Sequence, residues 1–174
     1  SQAGNANYTV APDIPQTFKV AKATPTVTWA EPAGIIYGTA LDGTQLAAAA
    51  DVPGTFTYTP AAGTLLDAGA GQVLTVDFVP QDAANWNSVL GTTVTIDVAK
   101  ADQAITFANP GGRIYTDSFT LAATGGDSGN AVTFAVTSGP AEIGEGDVVS
   151  FTGVGEVTIT ASQAGSANYN VAPD

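Results

Sequence analysis

Short runs in which apolar and polar residues alternate dominate this chain. In "VLTVDFV" (73–79) Leu74, Val76 and Phe78 fall on one side and Thr75 and Asp77 on the other. "VTIDV" (94–98) sets Val94, Ile96 and Val98 against Thr95 and Asp97, and "TFTYT" (55–59), "VTFAVT" (132–137) and "EVTITA" (156–161) repeat the pattern. Each run is short, rich in Thr, Val, Ile and aromatics, and bounded by Gly, Pro, Asn or Asp, which is the signature of a half-buried strand. "GTQLAAAA" alone has helical colour, and it lacks an amphipathic period. The chain is therefore expected to be all-β, and so many short strands at this spacing imply antiparallel β-sandwiches.

The runs also recur. "AKATPTVTWAEPAGIIYG" (21–38) aligns without gaps on "AKADQAITFANPGGRIYT" (99–116), so that Lys22 matches Lys100, Trp29 matches Phe107 and Tyr37 matches Tyr115. The same offset of 78 residues sets "NYTVAPDIPQTFKVAKA" (7–23) on "NWNSVLGTTVTIDVAKA" (85–101), matching Tyr8 with Trp86, Phe18 with Ile96 and Val20 with Val98. A third echo joins "SQAGNANYTVAPD" (1–13) to "SQAGSANYNVAPD" (162–174), which pairs Tyr8 with Tyr169. Self-similarity at fixed spacing marks a repeat array. Modules then run from one "VAK" to the next: 23–100 is a complete module, 101–174 is a second one lacking its final strand, and 1–22 is the C-terminal strand segment of a preceding module.

The second module lacks a counterpart of "IPQTFKVAK" (14–22), and the first copy of that strand has no module of its own. An unpaired edge invites strand addition. Head-to-tail self-association is therefore expected, with Ile14, Phe18 and Val20 of one copy entering the next. Closure within one chain is the rival arrangement, although two elongated modules in series are expected to hold the ends too far apart for it.

Composition removes function classes. Histidine, cysteine and methionine are absent, which excludes imidazole acid–base work, thiol catalysis, disulfides and the usual zinc sites. Sixteen acids against four bases give a net charge of −12, which repels nucleic acid and anionic lipid and keeps a long polymer soluble. Apolar residues make up 44% of the chain, enough for packed cores, and no apolar run approaches the ~20 residues of a membrane-spanning helix. Acidic pairs scatter over strand faces and turns without a cleft, so no enzyme is expected.

The phrase "TYTPAAGTLLDAGAGQVLTVDFVPQDAANW" (57–86), with "ITASQAGSANYNVAP" (159–173), resembles the bacterial immunoglobulin-like tandem repeats of large surface and secreted adhesin-like proteins. The resemblance covers nearly the whole chain, although Trp86 stands where tyrosine is usual. It implies tandem immunoglobulin-like β-sandwiches acting as stalks or spacers outside the cell or on its surface. It brings no catalytic residues and no cofactor.

Other candidates stand beside this one. Trp29, Phe107, Tyr8, Trp86 and Tyr169 recur at matching positions, which reads as a structural anchor in each module; an aromatic platform for a glycan or a protein is the alternative. Oxygen-bearing side chains in "PQDAANWN" (Asp82, Asn85, Asn87), in "GGDSGN" (Asp127) and in "EIGEGD" (Glu142, Glu145, Asp147) are candidate calcium ligands, although none fits the D-x-[DN]-x-[DN]-G loop. Lys22 and Lys100 at the joins read as edge lysines that discourage unwanted pairing, or as partners in an isopeptide bond. The three-residue "AKA" joins leave no room for a flexible linker, so a semi-rigid rod is expected.

Overall fold

The computed structural model describes residues 2–173; Ser1 and Asp174, the outer ends of the first and last segments, lie outside the described residues. The chain is all-β, with several small sheets and one 3₁₀ turn. Residues 23–100 contribute β1 (Val27–Thr28), β2 (Ile35–Ile36), β3 (Ala49–Ala50), β4 (Gly54–Thr59), β5 (Gly69–Pro80) and β6 (Val89–Ala99). Their main sheet has the order β2-β6-β5-β4, with β1 paired to β3 alongside.

Alternation sets the faces of this sheet. Leu74, Val76 and Phe78 of β5 and Ile96 and Val98 of β6 are buried, while register places Phe56 opposite Phe78 and Tyr58 opposite Val76. Leu41, Leu46, Leu74 and Ile96 form the core, against which Trp29, Ile35, Tyr58, Leu66 and Val94 pack. Removing this much apolar surface from water is the main favourable term in folding. The polar face has its own task at two β-bulges. Gly71 and Gly91 adopt positive φ, and their amides donate to Asp97 Oδ1 and Asp77 Oδ1, each at 2.7 Å. An aspartate on the neighbouring strand thus satisfies the amide that each kink frees.

Residues 101–173 contribute β7 (Thr106–Phe107), β8 (Ser118–Thr120), β9 (Ala123–Thr124), β10 (Val132–Ser138), β11 (Ala141–Ile143), the 3₁₀ turn Glu145–Asp147, β12 (Val148–Phe151) and β13 (Thr158–Gln163). They form three separate ladders, β7-β9, β11-β12-β8 and β10-β13. Phe134 opposes Ala161 and Val136 opposes Ile159, which repeats the β4–β5 register at equivalent positions. The five alternating runs of the sequence all lie in or overlap strands β4, β5, β6, β10 and β13.

Residues 14–22 find no strand partner within the single chain. They join no ladder, and Ile14, Phe18 and Val20 are 79%, 88% and 82% exposed. The alternation is present in the sequence, but a strand also needs a neighbour for its main-chain groups, and the single chain brings none to this segment. Upstream, the amide of Asn5 donates to the Tyr8 carbonyl (2.9 Å), as the amide of Ser166 does to that of Tyr169 (3.0 Å). The duplicated phrase therefore folds into the same turn twice.

Candidate functional site

The most regular geometry in the molecule lies at the two "AKA" joins. At the first, the Ala23 amide donates to the Asn85 carbonyl (3.0 Å) and the Asn87 amide donates back to the Ala23 carbonyl (2.8 Å). At the second, Ala101 makes the same pair of bonds with Asn168 (2.9 Å) and Asn170 (2.8 Å). The side chains repeat the arrangement. Asn87 Nδ2 donates to Thr24 Oγ1 (3.0 Å), and Asn170 Nδ2 to Asp102 Oδ1 (2.7 Å). Lys22 Nζ donates to the Ala83 carbonyl (2.5 Å), and Lys100 Nζ to the Ser166 carbonyl (2.7 Å).

The joins thus use lysine otherwise than its edge position suggests. Each ammonium caps a main-chain carbonyl of the turn that receives the following alanine, so the contact fixes where one segment hands over to the next. At the second join, further contacts tie the two halves side by side. Asn168 Oδ1 accepts from the Ala68 amide (2.8 Å), its Nδ2 donates to Asp67 Oδ1 (3.0 Å), and the Tyr37 and Tyr169 rings meet edge to face at 5.5 Å. Desolvation there, followed by the charge of Asp127 and the proximity of Tyr37, raises the Tyr169 phenol above its ordinary range.

The aromatic positions divide in use. Trp29 sits against the first core with Nε1 donating to the Gln45 carbonyl (3.0 Å) and its ring edge-on to Tyr58 at 5.3 Å. Phe107 lies 5.3 Å from Phe134 at the equivalent place. Trp86 and Tyr169 are half-buried in the joining turns, whereas Tyr8, in the lead, is exposed.

The calcium candidates do not converge. Among the described residues no three Asp or Glu side chains lie close enough to share an ion. Asp82 closes its own turn, accepting from Asn85 Nδ2 (2.8 Å) and from the Asn85 amide (3.2 Å). Those bonds, led by the side-chain one, hold its carboxyl below the usual range. Glu142 lies in β11, and Glu145 and Asp147 lie in the 3₁₀ turn, where Asp147 takes a φ of 61° that aspartate tolerates.

The "GGDSGN" loop, which carries Asp127, follows a different logic, set by two glutamines that the sequence pattern did not single out. Gln163 is buried; its Oε1 accepts from the Gly126 amide (2.7 Å) and its Nε2 donates to the carbonyls of Gly126 (3.2 Å) and Asn130 (2.7 Å). Gln103, also buried, accepts from the Ser128 amide (3.1 Å) and donates to the carbonyls of Ala164 (3.1 Å) and Asn170 (2.8 Å). A Cβ on Gly125 or Gly126 would come within 2.6 Å of Gln163 or Gln103 respectively, so the glycine pair makes room for the glutamines. The signal was present in the "SQAG" phrase, but a lone Gln within a strand reads as solvent-facing.

Beside β13 the surface opens into a groove of about 570 Å³ lined by aromatic and glycine residues, among them Phe107, Tyr115, Phe119, Phe151 and Gly155. Arg113 caps one of these rings, its guanidinium 4.5 Å from the Phe119 centroid. Comparison of the chain with protein-family models, with curated proteins and with solved structures returns no match.

Proposed function

We propose that the chain is a pair of tandem immunoglobulin-like modules serving as a structural spacer in a large extracellular or surface-bound bacterial protein of adhesin type. The observation that carries this reading is the duplicated join. The same alanine clasp, the same asparagine side-chain bond and the same lysine cap occur at residues 22–24 and at 100–102. A joint that can be copied lets an array lengthen without redesign, because each repeat contacts only its neighbours. Short joins and side-chain ties across them favour a stiff connection, and a spacer needs stiffness to project what lies beyond it. The acidic balance suits an extended polymer in solution.

The spacer reading is tested by residual dipolar couplings measured on dilute full-length chain. Couplings from residues 23–100 and from 101–173 should fit one alignment tensor. Asn168→Ala removes the partner of Ala68 and Asp67 at a cost of about 1 kcal/mol, and should separate the two tensors. Two independent tensors in the native chain would show a flexible link and defeat the proposal.

A further inference from the structure

Strand direction sorts the pairings of this molecule into two classes. Among the described residues the parallel pairings are three: Ala23 with Trp86, Ile35–Ile36 with Val98–Ala99, and Ala101 with Tyr169. Every other ladder is antiparallel. All three parallel pairings touch one continuous stretch, residues 85–101, which contains β6 and runs from the first alanine clasp into the second. We infer that this stretch is a tension-bearing tie: a pull that enters at Lys22 and leaves through Lys100 is carried along β6, with two parallel patches resisting it in shear. The inference deepens the spacer reading by naming what the spacer withstands, and it rests on that reading for the source of the load.

Direction, order and anchorage carry it. In a parallel pair, drawing one strand toward its N-terminus and the other toward its C-terminus slides the two along a common axis. All bonds of the patch are then loaded together, whereas strands drawn apart across a ladder lose their bonds one at a time. A pull along the chain meets Ala23 and Trp86 in this way, and then Ile35–Ile36 and β6, where the Tyr37 amide donates to the Ala99 carbonyl (2.8 Å). The Ala23 clasp lies nearest the point of entry. It is held by the main-chain bonds with Asn85 and Asn87, by Asn87 Nδ2 on Thr24 Oγ1, and by Lys22 Nζ on the Ala83 carbonyl. From Asn87 the chain passes directly into β6, so the load bypasses residues 25–84 while the clasp holds. The β2 patch, at the far end of β6, is a second lock behind it. Anchorage comes from β5. The bulges at Gly71 and Gly91 key the two strands together through the bonds to Asp97 and Asp77, each 2.7 Å. A slip of one residue would also turn the buried Ile96 and Val98 to the solvent face. Beyond Lys100, the Ala101 clasp with Asn168 and Asn170 receives what β6 passes on, so clasp and strand follow one another in series.

Single-molecule pulling on the full chain tests the inference. The chain has no cysteine, so introduced cysteines alone take the handles. Val20→Cys with Ala99→Cys loads the tie along its length. Thr59→Cys with Thr93→Cys, in register through Thr75, loads the same sheet across its strands. All four side chains are solvent-exposed. At one constant force the lengthwise pair should outlive the crosswise pair about tenfold, because forced unfolding follows the barrier met in the loaded direction. Lys22→Ala combined with Asn87→Ala removes two side-chain bonds of the clasp, both from exposed residues. The double variant should shorten the lengthwise lifetime about tenfold and leave the crosswise lifetime unchanged. Equal lifetimes in the two directions overturn the proposal, as does a variant that shortens both alike, the mark of ordinary fold stability. A lengthwise lifetime indifferent to the variant overturns it too. Separate alignment tensors in the native chain, with the directional difference intact, would remove the spacer reading and leave the tie standing. One tensor with equal lifetimes would do the reverse.

Discussion

The two halves start from similar sequences and reach different degrees of completion. In residues 23–100, β5 is covered on both edges, and Leu41, Leu74, Val76, Phe78 and Ile96 are almost wholly removed from solvent. In residues 101–173, β13 has one neighbour, and of the bulky residues only Val149 reaches the same depth. In the first half β6 completes the sheet, buries a row of side chains and pairs in parallel with β2. In the second, among the described residues, no strand lies on that edge of β13, residues 113–114 join no ladder, and Ile114 and Tyr115 are exposed. A strand thus organises more than its own residues, because each neighbour depends on it for hydrogen bonds and for cover.

The sharpest way to break the comparison is to make the same substitution at matched positions. Ile96→Ala opens a cavity in the first core and should cost about 2–5 kcal/mol in urea unfolding. Phe18→Ala, at the corresponding position of the repeat, should stay within about 0.5 kcal/mol in dilute monomer, because its ring has no packing to lose. A large loss from Phe18→Ala in the monomer would mean that residues 14–22 are already docked.

The reverse experiment offers a strand to the open edge of β13. Appending another copy of residues 14–22 after Asp174 should raise the stability of that half by about 2 kcal/mol, roughly the burial of one large apolar side chain net of ordering the segment. Hydrogen exchange of β13 would report it, and unchanged protection would argue that the groove does not accept this sequence.

An effect of similar size should come from Gln103 and Gln163, which bond the 125–130 loop; Gln45, the buried glutamine of the first half, instead accepts from the Asp42 amide. Gln163→Leu removes three bonds to the 125–130 loop and leaves their main-chain partners unsatisfied, at a cost of about 2 kcal/mol. Exchange should quicken at residues 125–130 while β5 and β6 are unaffected. Equal loosening of both halves would show that the unfolding unit is the whole chain.

How far the sequence could be read follows from which interactions it encodes locally. Period-2 alternation located the long strands, because burial on one face writes itself into every second residue. The same signal at 14–22 was correct as a pattern and insufficient as a structure, since alternation specifies a face and not the presence of a neighbour. The repeat placed the joins, but their mechanism lay in Lys22 and Lys100 reaching carbonyls some sixty residues away, a contact that spacing alone does not encode. Asp77, Asp97 and Asp82 looked like solvent-facing or ligand-bearing acids. Their partners are amides freed by bulges and turns, which become visible only once the chain has bent.

The gentlest probe of the comparison is pH, because only the second join places two tyrosine rings against each other. Folding raises the Tyr169 phenol above its ordinary value near 10, through desolvation first and then through Asp127 and Tyr37. A group whose folded value is raised contributes stability that is fully present below the unfolded value and is lost as pH climbs through the folded one. The contact between the halves should therefore hold unchanged from neutrality to about pH 10 and weaken above it. Tyr169→Phe retains the ring and removes the ionisation, so the difference between native chain and variant in urea unfolding should change only in that alkaline window. Parallel profiles for the two proteins would show that the phenol ionises as freely at the joint as in an unfolded chain, and that Asn168 rather than the tyrosine pair carries what asymmetry the two joins have.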